Sequence, residues 1–93
     1  MVVGVIAWEL EVYGAHSLKE KRRVVKSLKD RLTERFKVSA AETAYQDLWQ
    51  RAELAVAVVS GDRAHADSVL DSADRLVTGD VRARVIRSVR QFH

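Results

Sequence analysis

Residues 2 to 13 alternate with period two: Val2, Gly4, Ile6, Trp8, Leu10 and Val12 share one parity, and Val3, Val5, Ala7, Glu9, Glu11 and Tyr13 the other. The even set is wholly apolar and the odd set passes from apolar to acidic, which predicts a strand with one face in the core and the other partly wet. Gly14 ends it. Ser17-Leu18-Lys19-Glu20 then has the form of a capping box, in which the Ser17 hydroxyl accepts from the Glu20 amide and the Glu20 carboxylate accepts from the Ser17 amide. Leu18, Val25, Leu28, Leu32 and Phe36 follow on one helical stripe, with Val24 at its margin, while Lys19, Arg22, Arg23, Lys26, Asp30, Thr33 and Lys37 point outward. Lys21 breaks the pattern. Its angle puts it on the apolar stripe, so its stem is expected under the sheet edge with the ammonium emerging beside the Gly14 to Ser17 turn.

Residues 38 to 45 are strand-like but poor in large apolar groups, as suits an exposed edge strand, and the pattern leaves open which parity faces the core. Gln46 to Arg51 is a polar connection carrying Leu48 and Trp49. Ala52 to Val59 is nearly all apolar, with Leu54, Val56 and Val58 on one face, and predicts a central strand. Ser60 and Asp62 compete as cap of a second helix with Ala66, Val69, Leu70, Ala73 and Val77 inward, and Gly79 is expected as a left-handed terminator. The last strand, Val81 to Val89, switches parity near Val85 and Ile86, which predicts a bulge. The order βαββαβ with right-handed crossovers gives an α+β domain: a four-stranded antiparallel sheet with two helices on one face.

Composition narrows the class. The 93 residues suffice for one domain, residues 1 to 93, and an apolar share of 47% against 31% charged is an ordinary globular balance. No apolar run approaches the roughly 20 residues of a membrane span, and no signal-peptide core follows Met1, so a cytoplasmic protein without membrane partners is expected. The absence of cysteine excludes disulfides, thiolate metal sites and a cysteine nucleophile. Net charge is +3, unevenly spread: nine Lys or Arg stand against Glu20, Asp30 and Glu34 between Leu18 and Lys37, whereas Asp62, Asp67, Asp71 and Asp74 outnumber two Arg between Asp62 and Arg75. A basic helix beside an acidic one favours an anionic partner on one face.

Enzyme chemistry finds little support. His16, His65 and His93 are scattered, and there is no Gly-rich phosphate loop, Ser-His-Asp order or pair of carboxylates, so no catalytic residue, metal site or cofactor is assigned. The first turn of the basic helix offers free amides and the positive end of the helix dipole to a phosphate, although Ser17 and Glu20 already compete for those amides. Lys19, Lys21, Arg22, Arg23, Lys26 and Lys29 are the candidate nucleic-acid contacts, in a form that tracks the RNA backbone. The uncovered sheet face lacks the stacking aromatics of an RNA-binding sheet, with Val3, Val5 and Ala7 at its centre. Small and apolar, it suits a second copy of the chain, with Val5 and Ala7 as candidate homodimer contacts. Trp49 either folds over the core edge, as the usual burial of tryptophan favours, or reaches a partner. Arg82 and Arg84 are expected across from Glu9 and Glu11 as cross-strand pairs.

The run Gly14-Ala15-His16-Ser17-Leu18-Lys19-Glu20-Lys21-Arg22-Arg23, together with Gln46-Asp47-Leu48-Trp49-Gln50-Arg51-Ala52 and Val56-Ala57-Val58-Val59, resembles the YlxP-like family of small bacterial proteins. The likeness spans almost the whole chain, departing at Thr43-Ala44-Tyr45. It implies a ferredoxin-like fold, in agreement with the element order, and carries over no catalytic residues. The family's genes tend to lie among translation-factor and ribosome-maturation genes, which implies an association with ribosomes or RNA. The expectation is therefore a non-enzymatic, ferredoxin-like binding module acting near the ribosome through its first helix; the rival is a homodimeric scaffold that binds no nucleic acid.

Overall fold

A computed structural model describes residues 1–93 of the chain. The opening alternation becomes β1 (Val2–Val12), followed by α1 (Leu18–Phe36), β2 (Ser39–Ala44), β3 (Arg51–Ser60), α2 (Arg63–Thr78) and β4 (Ala83–Phe92). The strands form one antiparallel sheet in the order β2-β3-β1-β4, so the two most apolar strands take its centre. The β1–β3 register sets Ile6 opposite Val56, Trp8 opposite Leu54 and Leu10 opposite Ala52. All six are buried on the face that the helices cover.

Val25, Leu28 and Leu32 of α1 and Ala66, Leu70, Ala73 and Val77 of α2 close that core from above. Each large apolar side chain fully buried in it contributes about 1.5–3 kcal/mol. Trp8 is wholly enclosed and its indole donates to Asp74 Oδ1 at 2.8 Å, which satisfies the one polar atom it brings inside. Gly4 lets α2 approach: a Cβ there would lie 3.1 Å from a Leu70 methyl and 3.3 Å from the Phe92 ring.

The caps follow the sequence with three changes. Ser17 Oγ accepts from the Glu20 amide at 3.1 Å, as expected, but the Glu20 carboxylate reaches one residue further back, to the His16 amide at 2.6 Å. Asp62 caps α2 by accepting from the Ala64 amide, and Ser60 instead accepts from Asp62 within the preceding turn. Gly79 is right-handed at φ −81°, not left-handed; a Cβ added there would lie 3.0 Å from the Arg75 carbonyl oxygen, and the left-handed helix end belongs to Lys37 at φ 52°. The edge strand resolves its parity: Ala40 and Glu42, paired with Val56 and Leu54, lie toward the helices and Ser39 and Ala41 face outward, until a bulge after Glu42 sets Ala44 opposite Glu53 of the uncovered face. In β4 the register slips where Glu9 pairs Arg87 and Leu10 pairs Val85, leaving Ile86 as the bulged residue. That strand starts two residues late, because Asp80 Oδ1 holds the Arg82 amide in a turn, and it runs on to Phe92 beside Gly4.

Candidate nucleic-acid interface

Helix α1 packs through a narrow stripe and therefore exposes most of its circumference. Lys21 sits on the inward side and is fully buried, at 0% exposure. Its ammonium donates to the carbonyls of Tyr45 at 2.8 Å, Arg51 at 3.2 Å and Gln46 at 3.3 Å, and stands 2.9 Å from Glu42 Oε2. The stem runs under the sheet edge as expected. The head does not emerge beside the Gly14 turn, because the β2–β3 connection supplies the oxygens that make burial of a charge tolerable. Lys21 is thus removed from the candidate nucleic-acid contacts and becomes the clamp of that connection.

Lys19, Arg22, Arg23 and Lys26 are exposed and Lys29 is half-buried. From Lys19 to Lys29 the helix advances about 15 Å, so the row spans several phosphates of an extended strand. Lys26 is paired with Asp30 at 2.7 Å, and that hydrogen bond raises its pKa; the pair is exposed on both sides. Lys19, Arg22, Arg23 and Lys29 have no carboxylate within ion-pair distance.

How the other charges are used gives this row its meaning. Among the acids only Glu34 and Asp47 lack an ion pair or hydrogen bond through their carboxylates. The acidic surface of α2 is consumed by the fold: Asp62 is the cap, Asp67 and Asp71 each hold Arg90 at 2.7 Å, and Asp74 holds Trp8. Among the cations, Lys21, Lys26, Arg31, Arg51, Arg82, Arg84, Arg87 and Arg90 are paired. Those left over are Arg63 and Arg75 on α2, and Lys19, Arg22, Arg23, Lys29, Arg35 and Lys37 on α1 or its cap. The sequence pattern places Lys37 outward but not among the contacts, and does not place Arg35 among the outward positions; only the charge balance of the whole segment contains both as cations.

The other candidates separate. Arg84 meets Glu11 at 3.3 Å as expected, but Arg82 turns away to Asp80 at 2.6 Å, and Glu9 is met by Arg51 at 2.8 Å and Arg87 at 3.9 Å. Two arginines close on the side chain of Asp80, 4% exposed, Arg82 from the turn before β4 and Arg31 from α1 at 3.1 Å; the Arg82 hydrogen bond foremost lowers its pKa to about 2. Trp49 does not fold over the core edge. It is 53% exposed, beside an exposed Leu48, on the connection that Lys21 clamps from below. Val5 and Ala7 lie half-buried on the uncovered sheet face, flanked by Ala57 and Gln91 and by Ala55 and Val89.

No helix is long and apolar enough to cross a membrane. Residues 3–90 match the family described as protein of unknown function, DUF503. The chain is 41% identical over 69 residues to the uncharacterized protein YlxP of Bacillus subtilis (strain 168), covering 74% of this chain and 75% of that one. Among solved structures it is similar to a de novo designed protein with ferredoxin fold, determined in solution by NMR, at TM-score 0.56 and 14% identity over all of this chain and 83% of the other. That likeness shows the fold: βαββαβ, ferredoxin-like.

Proposed function

We propose, for a chain that belongs to the DUF503 family, a non-enzymatic cytoplasmic module that binds RNA, as a ribosome presents it, through the outward face of α1. The carrying observation is the unequal use of charge: the fold engages nearly all its carboxylates and leaves six cations of one helix segment without partners. Like charges without partners repel one another, and an external polyanion relieves that repulsion while releasing its own counterions. Phosphates on RNA meet that need at the spacing of the row. With about four phosphates neutralised, the affinity is expected to fall about a hundredfold between 50 and 200 mM salt. Co-sedimentation with ribosomal subunits at low and high salt tests it, with Arg22→Glu/Arg23→Glu as the variant. Retention of the variant equal to that of the wild type, or binding indifferent to salt, would overturn the reading.

A second reading rests on the uncovered sheet face. Its apolar end, around Val5, Ala7, Ala55 and Ala57 with exposed Val59 and Val89, has no covering layer, and a second copy would bury it. The mass expected at tens of micromolar is that of a dimer; a monomeric mass by light scattering removes this reading and leaves the first untouched.

A further inference from the structure

Where β1 and α1 diverge, the surface opens into a recess of about 300 Å³ that the fold does not use. We propose that this recess takes one unpaired nucleobase of a single-stranded RNA, with Tyr13 and Arg23 as its stacking groups and Lys19 and Arg22 holding the adjoining phosphates. The inference rests on the reading of α1 as an RNA-binding face and adds the form of RNA that it selects.

The chain builds the recess by local necessity. β1 stops at Val12, Gly14 turns at φ 66°, and α1 leaves at an angle. Val12, Ala15 and Val24 make an apolar floor, and Tyr13, Glu20 and Arg23 stand around it. Tyr13 is 53% exposed, and its hydroxyl has no hydrogen-bond partner, whereas that of Tyr45 is bound to Glu9. Arg23 has no carboxylate partner, although Glu20, one of whose oxygens accepts from the His16 amide, shares its recess. A phenol ring and a guanidinium plane are the side-chain surfaces on which unpaired bases stack, and the same first turns of α1 carry Lys19 and Arg22, two exposed cations without carboxylate partners.

The chemistry discriminates among anionic partners. An acidic peptide would use the cations and leave the ring and apolar floor idle. A duplex presents phosphates but keeps its bases stacked inside, out of reach of a recess this small. A free mononucleotide would gain the recess and forgo the row along α1. Only a single strand engages both.

Fluorescence anisotropy with a labelled oligoribonucleotide of about 12 nucleotides, single-stranded and as its duplex, decides the matter. The wild type is expected to prefer the single strand. Tyr13→Ala should weaken that binding about tenfold, leave duplex binding and the salt slope unchanged, and be rescued by Tyr13→Phe. Because Tyr13 lies outside the core, its variants should melt as the wild type does, which circular dichroism checks. Single-strand affinity of Tyr13→Ala equal to the wild type, or equal affinity of the wild type for single strand and duplex, overturns the inference. If Lys19→Glu/Arg22→Glu still weakens both forms in that case, the basic-helix reading survives alone. If the wild type binds neither form at low salt, both fall, and the exposed ring and cations belong to a protein partner.

Discussion

A lysine ammonium has three hydrogens to donate, and Lys21 faces four oxygens at 2.8 to 3.3 Å, inside a shell that excludes water. Three of them are carbonyls, of Tyr45 and Gln46 in the β2–β3 connection and of Arg51 where β3 begins, and Tyr45 adopts a left-handed φ of 63°, so the ammonium holds the chain at a left-handed turn. Lys21→Met keeps the stem but strands the three carbonyls and the Glu42 carboxylate. The expected cost is about 3 kcal/mol, seen as a lower urea midpoint. Glu42→Gln, which keeps an acceptor beside the ammonium, should cost less. An unchanged midpoint in Lys21→Met would show that the clamp contributes nothing. Helical angle alone placed this side chain inward, and the stem followed it. The destination of the ammonium was illegible, because it depends on Glu42, and the parity of β2 was the one that the sequence pattern left undecided.

One connection between elements holds a second nearly buried charge, the carboxylate of Asp80. Asp80 joins α2 to β4 and, through Arg31, ties both to α1; Arg82 adds a bond to Ser27 of the same helix at 3.0 Å. Its carboxyl titrates at about 2 in the fold against an ordinary 3.8, because Arg82 and then Arg31 favour the ionised form. The folded value is the lower one, so the contribution is fully present above about pH 4 and is lost as pH falls from about 4 to 2, where the unfolded chain takes up a proton that the fold refuses. The two guanidiniums are themselves partly exposed, so the stabilisation is about 2 kcal/mol at most. Thermal melts across that window should decline in the wild type and decline less in Asp80→Asn; parallel curves would assign acid sensitivity to other carboxylates. The elements joined here were legible because strands and helices announce their faces by period, and the bulge at Ile86 showed itself as a break in that period. The start of β4, the right-handed Gly79 and the exposed Trp49 were not, since each is decided by a contact distant in sequence or by the absence of one.

At the scale of the molecule the two helices and the uncovered sheet face lie on opposite sides of one sheet, and this makes the two proposed surfaces separable. A dimer closed through Val5 and Ala7 would leave both copies of α1 outward, so that one complex carries two basic rows. Its apolar contact should be nearly indifferent to salt, whereas phosphate contacts weaken steeply. Val5→Glu puts a charge where the second copy would bury it and should give a monomer whose binding per chain to single-stranded RNA in dilute solution is unchanged. Arg22→Glu/Arg23→Glu should do the reverse, keeping the dimer mass and losing RNA. On a ribosome or a long strand the dimer should hold more tightly than the monomer, because the second site binds at raised effective concentration. Sedimentation of both variants with and without RNA, at two salt concentrations, reads all of these outcomes at once. If Val5→Glu abolishes RNA binding even to a short strand while the chain stays folded, the surfaces are not separable, and the RNA path crosses the sheet face instead of α1.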